Sequence, residues 1–95
     1  MAAIVLALFK IEDQAKWRQV FESKADLRKT AGCLGTHIFY NAKDASEVIV
    51  NFQWDSEENF EKFFNGAEAR TAMTEAGVVG APQRWVLEDG GRTAS

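Results

Sequence analysis

Short runs with the two-residue period of a β-strand alternate along the chain with longer runs that have helical spacing. The first strand-like run is rich in Ile, Val, Leu and Phe, which is typical of a buried strand. Two further runs flank the four residues "AKDA", which predict a hairpin loop. The predicted strands are residues 3–10, 34–41, 46–53 and a last run, "QRWVLE", that follows Pro82.

The first helical run begins after Asp13, whose side chain can cap a helix N-terminus. Apolar residues then recur at helical spacing, at Trp17, Val20, Phe21 and Leu27. Gly32 can take the positive φ that ends many helices. The pattern predicts one helix between the first and second strands.

The second helical run follows Asp55, a predicted cap with Glu58 three residues on as its capping-box partner. Three Phe residues, Phe60, Phe63 and Phe64, give this run an apolar stripe. The dipeptide Asn65-Gly66 interrupts it, and "AEARTAMTEAG" resumes as a helix that stops at Gly77. The pattern predicts an interrupted helix between the third and fourth strands.

The order β-α-β-β-α-β is that of the ferredoxin-like split βαβ arrangement, an α+β fold. It predicts a four-stranded antiparallel sheet with the helices on one face. The other face would be bare and apolar, and a second copy of the chain is the simplest cover for it. We expect a single domain over residues 1–89 and a disordered Gly-rich tail over residues 90–95.

Charge and composition exclude some classes of binding partner. The 95 residues carry a net charge of −3, and the basic residues are scattered, which argues against nucleic acid and anionic membranes as partners. The N-terminal apolar run is too short to span a bilayer, so we expect no membrane insertion. One cysteine, Cys33, cannot form an internal disulfide, which fits a cytoplasmic protein. Three Trp, seven Phe and one Tyr are enough rings to line a cavity as well as fill a core.

Several stretches together resemble the dimeric α/β-barrel superfamily. They are Trp17, "GCLGTHIF", "VIVNFQWDSEENFEKFF" and "AMTEAGVVGAP". The branch that they resemble most contains antibiotic-biosynthesis-monooxygenase-type domains and small proteins labelled as cyclases. The resemblance implies a homodimer with two sheets packed face to face, and a pocket in each monomer between its sheet and its helices. Such folds host several unrelated functions.

The length of the hairpin loop decides which residues share a face with Trp54. A loop of two or four residues places Gly35, His37 and Phe39 on the face of Trp54. A loop of three or five residues moves His37 to the opposite face, beside Asn51. We expect the even loop, because it gathers the more apolar residues on one face.

The candidate catalytic residues are His37 and Trp54. His37 is the only histidine, and imidazole is the side chain that exchanges protons near neutral pH. It could act as a base, or it could be a half-exposed strand residue. Trp54 could line a pocket and stack on a planar ligand, as the matching Trp of monooxygenase-type relatives does, or it could be a core residue. The expected substrate-binding residues are Trp17, Phe39, Val50, Asn51, Phe52, Phe64 and Met73.

The resemblance implies a cofactor-independent oxygenase, or a cyclase or isomerase, that acts on a planar aromatic or polyketide-like molecule, and these residues are the ones that could carry the reaction. The alternative is a non-catalytic dimer whose pocket holds a hydrophobic ligand or nothing, with a stress-related or accessory role. We expect no metal, because a metal site needs three or four ligands and the chain offers one His and one Cys. We also expect no heme: the heme-degrading relatives carry an axial His where this chain has Met73, and an Asn on the first strand that "AIVLALFK" lacks.

Overall fold

The strands form one antiparallel sheet in the computed structural model, which describes residues 2–95. Their order across the sheet is β2-β3-β1-β4, so β1 and β3 are central and β2 and β4 are the edges. The strands are β1 (Ala3–Lys10), β2 (Cys33–Tyr40), β3 (Glu47–Trp54) and β4 (Gln83–Leu87). The predicted strand positions and the predicted α+β class are confirmed.

Two pairs of helices connect the strands. They are α1 (Gln14–Ser23), α2 (Ala25–Ala31), α3 (Glu57–Phe64) and α4 (Ala67–Glu75). The break between α3 and α4 at Asn65-Gly66 was predicted. The break between α1 and α2 at Lys24 was not, because neither Gly nor Pro stands there. The backbone N–H of Lys24 donates to the carbonyl of Phe21 at 3.2 Å, which closes α1 with a tight final turn.

The cap of α3 differs from the prediction. Ser56, not Asp55, is the N-cap, and its Oγ accepts a hydrogen bond from the backbone N–H of Asn59 at 3.1 Å. Asp55 instead accepts a bond from the side-chain amide of Asn59 at 2.9 Å. Its carboxylate lies against Gly32, where a Cβ would come within 2.5 Å of Oδ1. Gly32 also has φ of 123°, so the end of α2 needs glycine for two reasons.

The helices cover one face of the sheet, which we call the inner face. Alternate residues of β1 and β3 point into it and are buried: Val5, Ala7, Phe9, Val48, Val50, Phe52 and Trp54. Trp17 of α1 and the rings of Phe60 and Phe64 from α3 complete the same apolar cluster. Burial of these side chains is the main favourable term that holds the helices on the sheet.

The opposite face of the sheet has no helix over it, and we call it the open face. Leu6 of β1 lies at its centre, with Asn51 of β3 on one side and Trp85 of β4 on the other. Other members are Ile4, Leu8, His37, Phe39, Ile49 and Leu87. Trp85 and Phe39 are each 46 % exposed. Gln53 and Gln83 also lie on this face, but most of its residues are apolar, and the face is accessible in a single chain.

Residues 88–95 contain no helix or strand and are exposed. The disorder expected for residues 90–95 stays a prediction. The expected domain begins at residue 1, and Met1 lies outside the described residues.

Candidate functional site

A cavity of about 70 Å³ lies between the inner face of the sheet and the helices. Half of the residues that line it are aromatic, and its only titratable side chains among residues 2–95 are those of Lys24 and Arg28. Five of the predicted site residues line this cavity: Trp17, Phe52, Trp54, Phe64 and Met73. The sequence therefore predicted much of the apolar wall.

Trp54 is both a core residue and part of the cavity wall. It is the last residue of β3, pairs with Ala3 and Cys33 on the neighbouring strands, and is 1 % exposed. Its indole lies 5.7 Å from the ring of Phe60 and 5.5 Å from that of Phe63. The indole Nε1 is buried and has no hydrogen-bond acceptor among residues 2–95. A buried donor without an acceptor is costly, so a ligand that brings an acceptor to this site would bind favourably.

A second group of aromatic rings forms the cavity wall beside α1. Trp17 of α1 stacks on Phe21 with the ring centroids 4.8 Å apart. Phe21 in turn lies 6.1 Å from Phe52 on β3. Helix α1 is thus attached to the sheet through aromatic contacts, which fix flat apolar surfaces on the cavity wall.

The structure contradicts the predicted position of His37. His37 pairs with Asn51, and Tyr40 pairs with Val48, so His37 lies on the open face while Trp54 lies on the inner face. The two predicted catalytic residues are therefore on opposite sides of the sheet. His37 is exposed and stacks on Phe39 at 4.2 Å. It cannot serve as a base in the cavity of its own chain.

The hairpin loop explains this error. The backbone N–H of Asn41 donates to the carbonyl of Glu47, which leaves the five residues 42–46 in the loop. Asn41 Oδ1 accepts from the N–H of Lys43, and Asp44 Oδ1 accepts from the N–H of Ser46. These side-chain bonds stabilise two consecutive turns that share Asp44, which together leave five residues in the loop. Hydrophobicity did not reveal the register, because Phe39 pairs with Ile49 and both faces of the sheet are apolar.

Three further predicted binding residues do not line the cavity. Phe39 follows His37 onto the open face, away from the cavity. Asn51 lies on that face too, with its Oδ1 buried and without a hydrogen-bond partner in residues 2–95. Val50 is on the inner face and fully buried, but it packs in the core and does not line the cavity. None of the three can touch a ligand held in this cavity.

Arg28 is the site residue that sequence reasoning missed. It lies on α2, is 8 % exposed and lines the cavity. Burial lowers the pKa of its guanidinium from the ordinary value. One sequence feature could have indicated that Arg28 is buried. It lies seven residues after Phe21, a spacing that continues the buried helical stripe. The charge concealed that signal, because arginine usually lies on solvated helix faces.

Residues 2–95 contain neither a cluster of metal ligands nor a membrane-spanning helix. No three His, Cys, Asp or Glu side chains come close enough to hold a metal ion. None of the helices is long and apolar enough to cross a membrane. The expected absence of heme and of other cofactors stays a prediction.

The family model for antibiotic biosynthesis monooxygenases matches residues 2–75, most of the chain. The chain belongs to this family. The match spans β1 to α4, so it includes Trp54 and nearly all of the cavity wall. None of the proteins with curated descriptions matches the sequence.

Solved structures of antibiotic biosynthesis monooxygenases share this fold. A Bordetella bronchiseptica protein proposed to belong to the family is 14 % identical, with a TM-score of 0.79 over 93 % of this chain and 96 % of that one. SnoaB, a cofactor-independent oxygenase from Streptomyces nogalater, is 10 % identical, with a TM-score of 0.73 over 99 % and 97 %. The ActVA-Orf6 monooxygenase of Streptomyces coelicolor, in complex with nanaomycin D, is 17 % identical, with a TM-score of 0.63 over 99 % and 92 %. At these identities the similarity shows the fold alone.

Proposed function

We propose that this protein binds a planar aromatic or polyketide-like molecule in the cavity and oxygenates it without a cofactor. The observation that supports this best is Trp54, a buried wall residue whose Nε1 donor lacks an acceptor within residues 2–95. Structural neighbours with the same fold include a cofactor-independent oxygenase and a monooxygenase bound to nanaomycin D. Membership of the monooxygenase family points in the same direction.

Oxygenation without a cofactor requires that the substrate itself supply the electrons. An activated ring methylene that ionises to a carbanion or enolate can react with O₂ at carbon. The peroxide that forms then loses water, so CH₂ and O₂ become C=O and H₂O with no external reductant. The protein would hold the substrate flat, exclude water and donate hydrogen bonds to the substrate oxygens.

The position of His37 limits which substrates suit this chemistry. The cavity contains no His, Asp or Glu among its described lining residues, and Lys24 there pairs with Glu75 at 3.7 Å. A protein base of the usual kind is therefore missing from the cavity. The proposal favours substrates whose enol or phenol ionises in water at neutral pH.

The size of the cavity also limits the proposal. About 70 Å³ is far below the roughly 300–1,000 Å³ of pockets that hold drug-sized ligands. A polycyclic substrate would need the wall to open. Phe21 and Arg28 separate the cavity from one surface groove, and Phe63 separates it from another, so these side chains are the candidates for movement.

Oxygen consumption tests the catalytic proposal. Purified protein would be mixed with anthrone-type ring methylene compounds in metal-free buffer, and O₂ uptake would be compared with product mass. We expect one O₂ consumed per substrate, with product that has gained one oxygen and lost two hydrogens. Trp54→Phe should slow this reaction, while Trp85→Phe on the open face should not. Uptake no faster than in protein-free buffer would contradict the catalytic proposal.

The second candidate function is binding without catalysis. The absence of a His, Asp or Glu base from the described cavity wall favours it. Saturable binding of the same compounds without O₂ uptake would support this function over the first.

The open face supports a homodimer as the working form. It exposes Trp85 and Phe39 and offers the broad apolar surface that a second copy could cover. An isologous contact of this kind should bury more than about 1,000 Å². A cytoplasmic location remains part of the proposal, as does the absence of nucleic-acid and membrane partners.

A further inference from the structure

Arg28 differs from the other cations near the cavity in having no acidic partner. Lys24 pairs with Glu75, and Arg84 pairs with Glu61 at 2.9 Å. None of the ion pairs within residues 2–95 contains Arg28. Buried arginines are usually paired, because removing a charge from water is costly. An unpaired one beside a cavity needs another explanation.

The contacts that Arg28 does make leave most of its hydrogen-bonding capacity unused. Its Nη1 donates to the carbonyl of Phe21 at 2.9 Å, near the C-terminus of α1. Its guanidinium carbon lies 3.7 Å from the centroid of the Phe21 ring. These contacts orient the guanidinium plane in the ligand-free chain. Only one of the five N–H donors of the Arg28 guanidinium has an acceptor within residues 2–95. The other four are available to a ligand.

Arg28 lies between the cavity and a surface groove. On one side is the apolar cavity with Phe52 and Trp54. On the other side is a surface groove of about 540 Å³, which Arg28 lines together with Arg18, Thr36 and His37. Phe21 lines both spaces as well. A molecule that enters from the groove would therefore place its ring in the cavity and its outer end beside Arg28.

We propose that Arg28 recognises an anionic oxygen group on the aromatic ligand, such as a carboxylate or an ionised phenol or enol. The ring would occupy the cavity beside Trp54, and the anionic group would lie at the boundary with the groove. The planar guanidinium matches a carboxylate with two parallel hydrogen bonds and an enolate with one. This inference rests on the proposal that the cavity binds aromatic molecules, but it does not depend on turnover.

A pair of probes of nearly the same shape tests this directly. 2-Naphthoate is anionic at neutral pH and 2-naphthamide is neutral, so their dissociation constants would be compared by isothermal titration calorimetry. For the unaltered protein we expect naphthoate to bind about tenfold or more tightly than the amide. In Arg28→Gln this preference should disappear, and the affinity for the amide should stay within about twofold.

Arg18→Gln is the matched control. Arg18 lines the groove but not the cavity, and it pairs with Glu22 at 3.4 Å. Its loss removes the same charge from the groove but leaves the guanidinium of Arg28 at the cavity. The preference for naphthoate over the amide should therefore persist. A preference lost equally in both variants would show general attraction by the groove and would overturn the assignment to Arg28.

Arg28→Lys covers the case in which Arg28→Gln does not fold. Lysine keeps the charge but not the planar fork, so naphthoate should bind several-fold more weakly with the amide unchanged. Equal naphthoate and amide affinities in the unaltered protein would overturn this inference alone. Failure of both probes to bind would overturn it together with the aromatic-binding proposal.

Discussion

The indole of Trp54 meets the ring of Phe60 edge-on, with an interplanar angle of 73° and a centroid separation of 5.7 Å. This contact joins the end of β3 to α3, just across the turn that Ser56 caps. Both rings are almost fully buried, so the indole is held in one orientation. The cavity wall on this side is therefore formed before any ligand arrives.

Trp54→Phe should preserve the fold while weakening ligand binding. Phenylalanine keeps an aromatic ring in the wall but removes the Nε1 donor, so a ligand oxygen that bonds there would lose its partner. The free energy of unfolding should fall by about 0.5–3 kcal/mol, measured by urea denaturation. Phe60→Ala provides the contrast, because a large cavity in the core should cost about 3–5 kcal/mol. Unchanged affinity in a folded Trp54→Phe variant would show that Nε1 does not meet the ligand.

His37→Ala should leave ligand binding and any O₂ uptake unchanged within about twofold, because His37 lines the outer groove and not the cavity that holds the ring. Steady-state kinetics and calorimetry on the same preparation measure both quantities. A loss of turnover with binding retained would show that His37 reaches a substrate. That result would require a substrate that extends into the groove lined by His37, a site on the open face, or a site completed by a second copy.

Leu6→Glu should prevent dimer formation. Leu6 lies between Asn51 and Trp85 at the centre of the open face, and a buried unpaired carboxylate is costly at an interface. Sedimentation equilibrium should show a species of twice 10.6 kDa for the unaltered chain and a 10.6 kDa species for the variant. Val79→Glu adds the same charge to an exposed apolar residue outside the sheet and should remain dimeric. A stable monomer of the unaltered chain at micromolar concentration would refute the dimer.

Cys33 should react slowly with thiol reagents in the folded protein. Burial raises the pKa of its thiol, so little nucleophilic thiolate forms at pH 8. Raising the pH should speed alkylation only above the range of an ordinary cysteine. Mass spectrometry after iodoacetamide treatment, with and without urea, measures the protection. Equal rates in the two conditions would mean that Cys33 is accessible.

The sequence predicted the strands well because their apolar alternation is strong and their ends carry turn residues. Gly32 and Gly77 ended helices as expected, with φ of 123° and 75°. The cap of α3 was assigned one residue too early, since Asp55 and Ser56 are both good caps and only the turn geometry separates them. The break at Lys24 had no Gly or Pro to mark it.

The candidate site was predictable only on its apolar side. Trp17, Phe52 and Trp54 follow from periodicity, because a buried stripe and a cavity wall have the same pattern. His37 could not be placed without the hairpin loop, whose length depends on side-chain bonds of Asn41 and Asp44. Arg28 was overlooked because its burial results from tertiary packing that composition does not reveal.

We propose that aromatic ligands bind between the sheet and the helices. The indole N–H signals in ¹H–¹⁵N NMR spectra test it most directly, assigned by Trp54→Phe and Trp85→Phe. The Nε1–H of Trp54 has no acceptor in residues 2–95, whereas Trp85 lies on the open face. On titration with 2-naphthoate or an anthrone-type compound, the Trp54 signal should shift as it gains an acceptor, and the Trp85 signal should not. A shift of Trp85 with Trp54 unmoved would place the ligand on the open face and contradict the account.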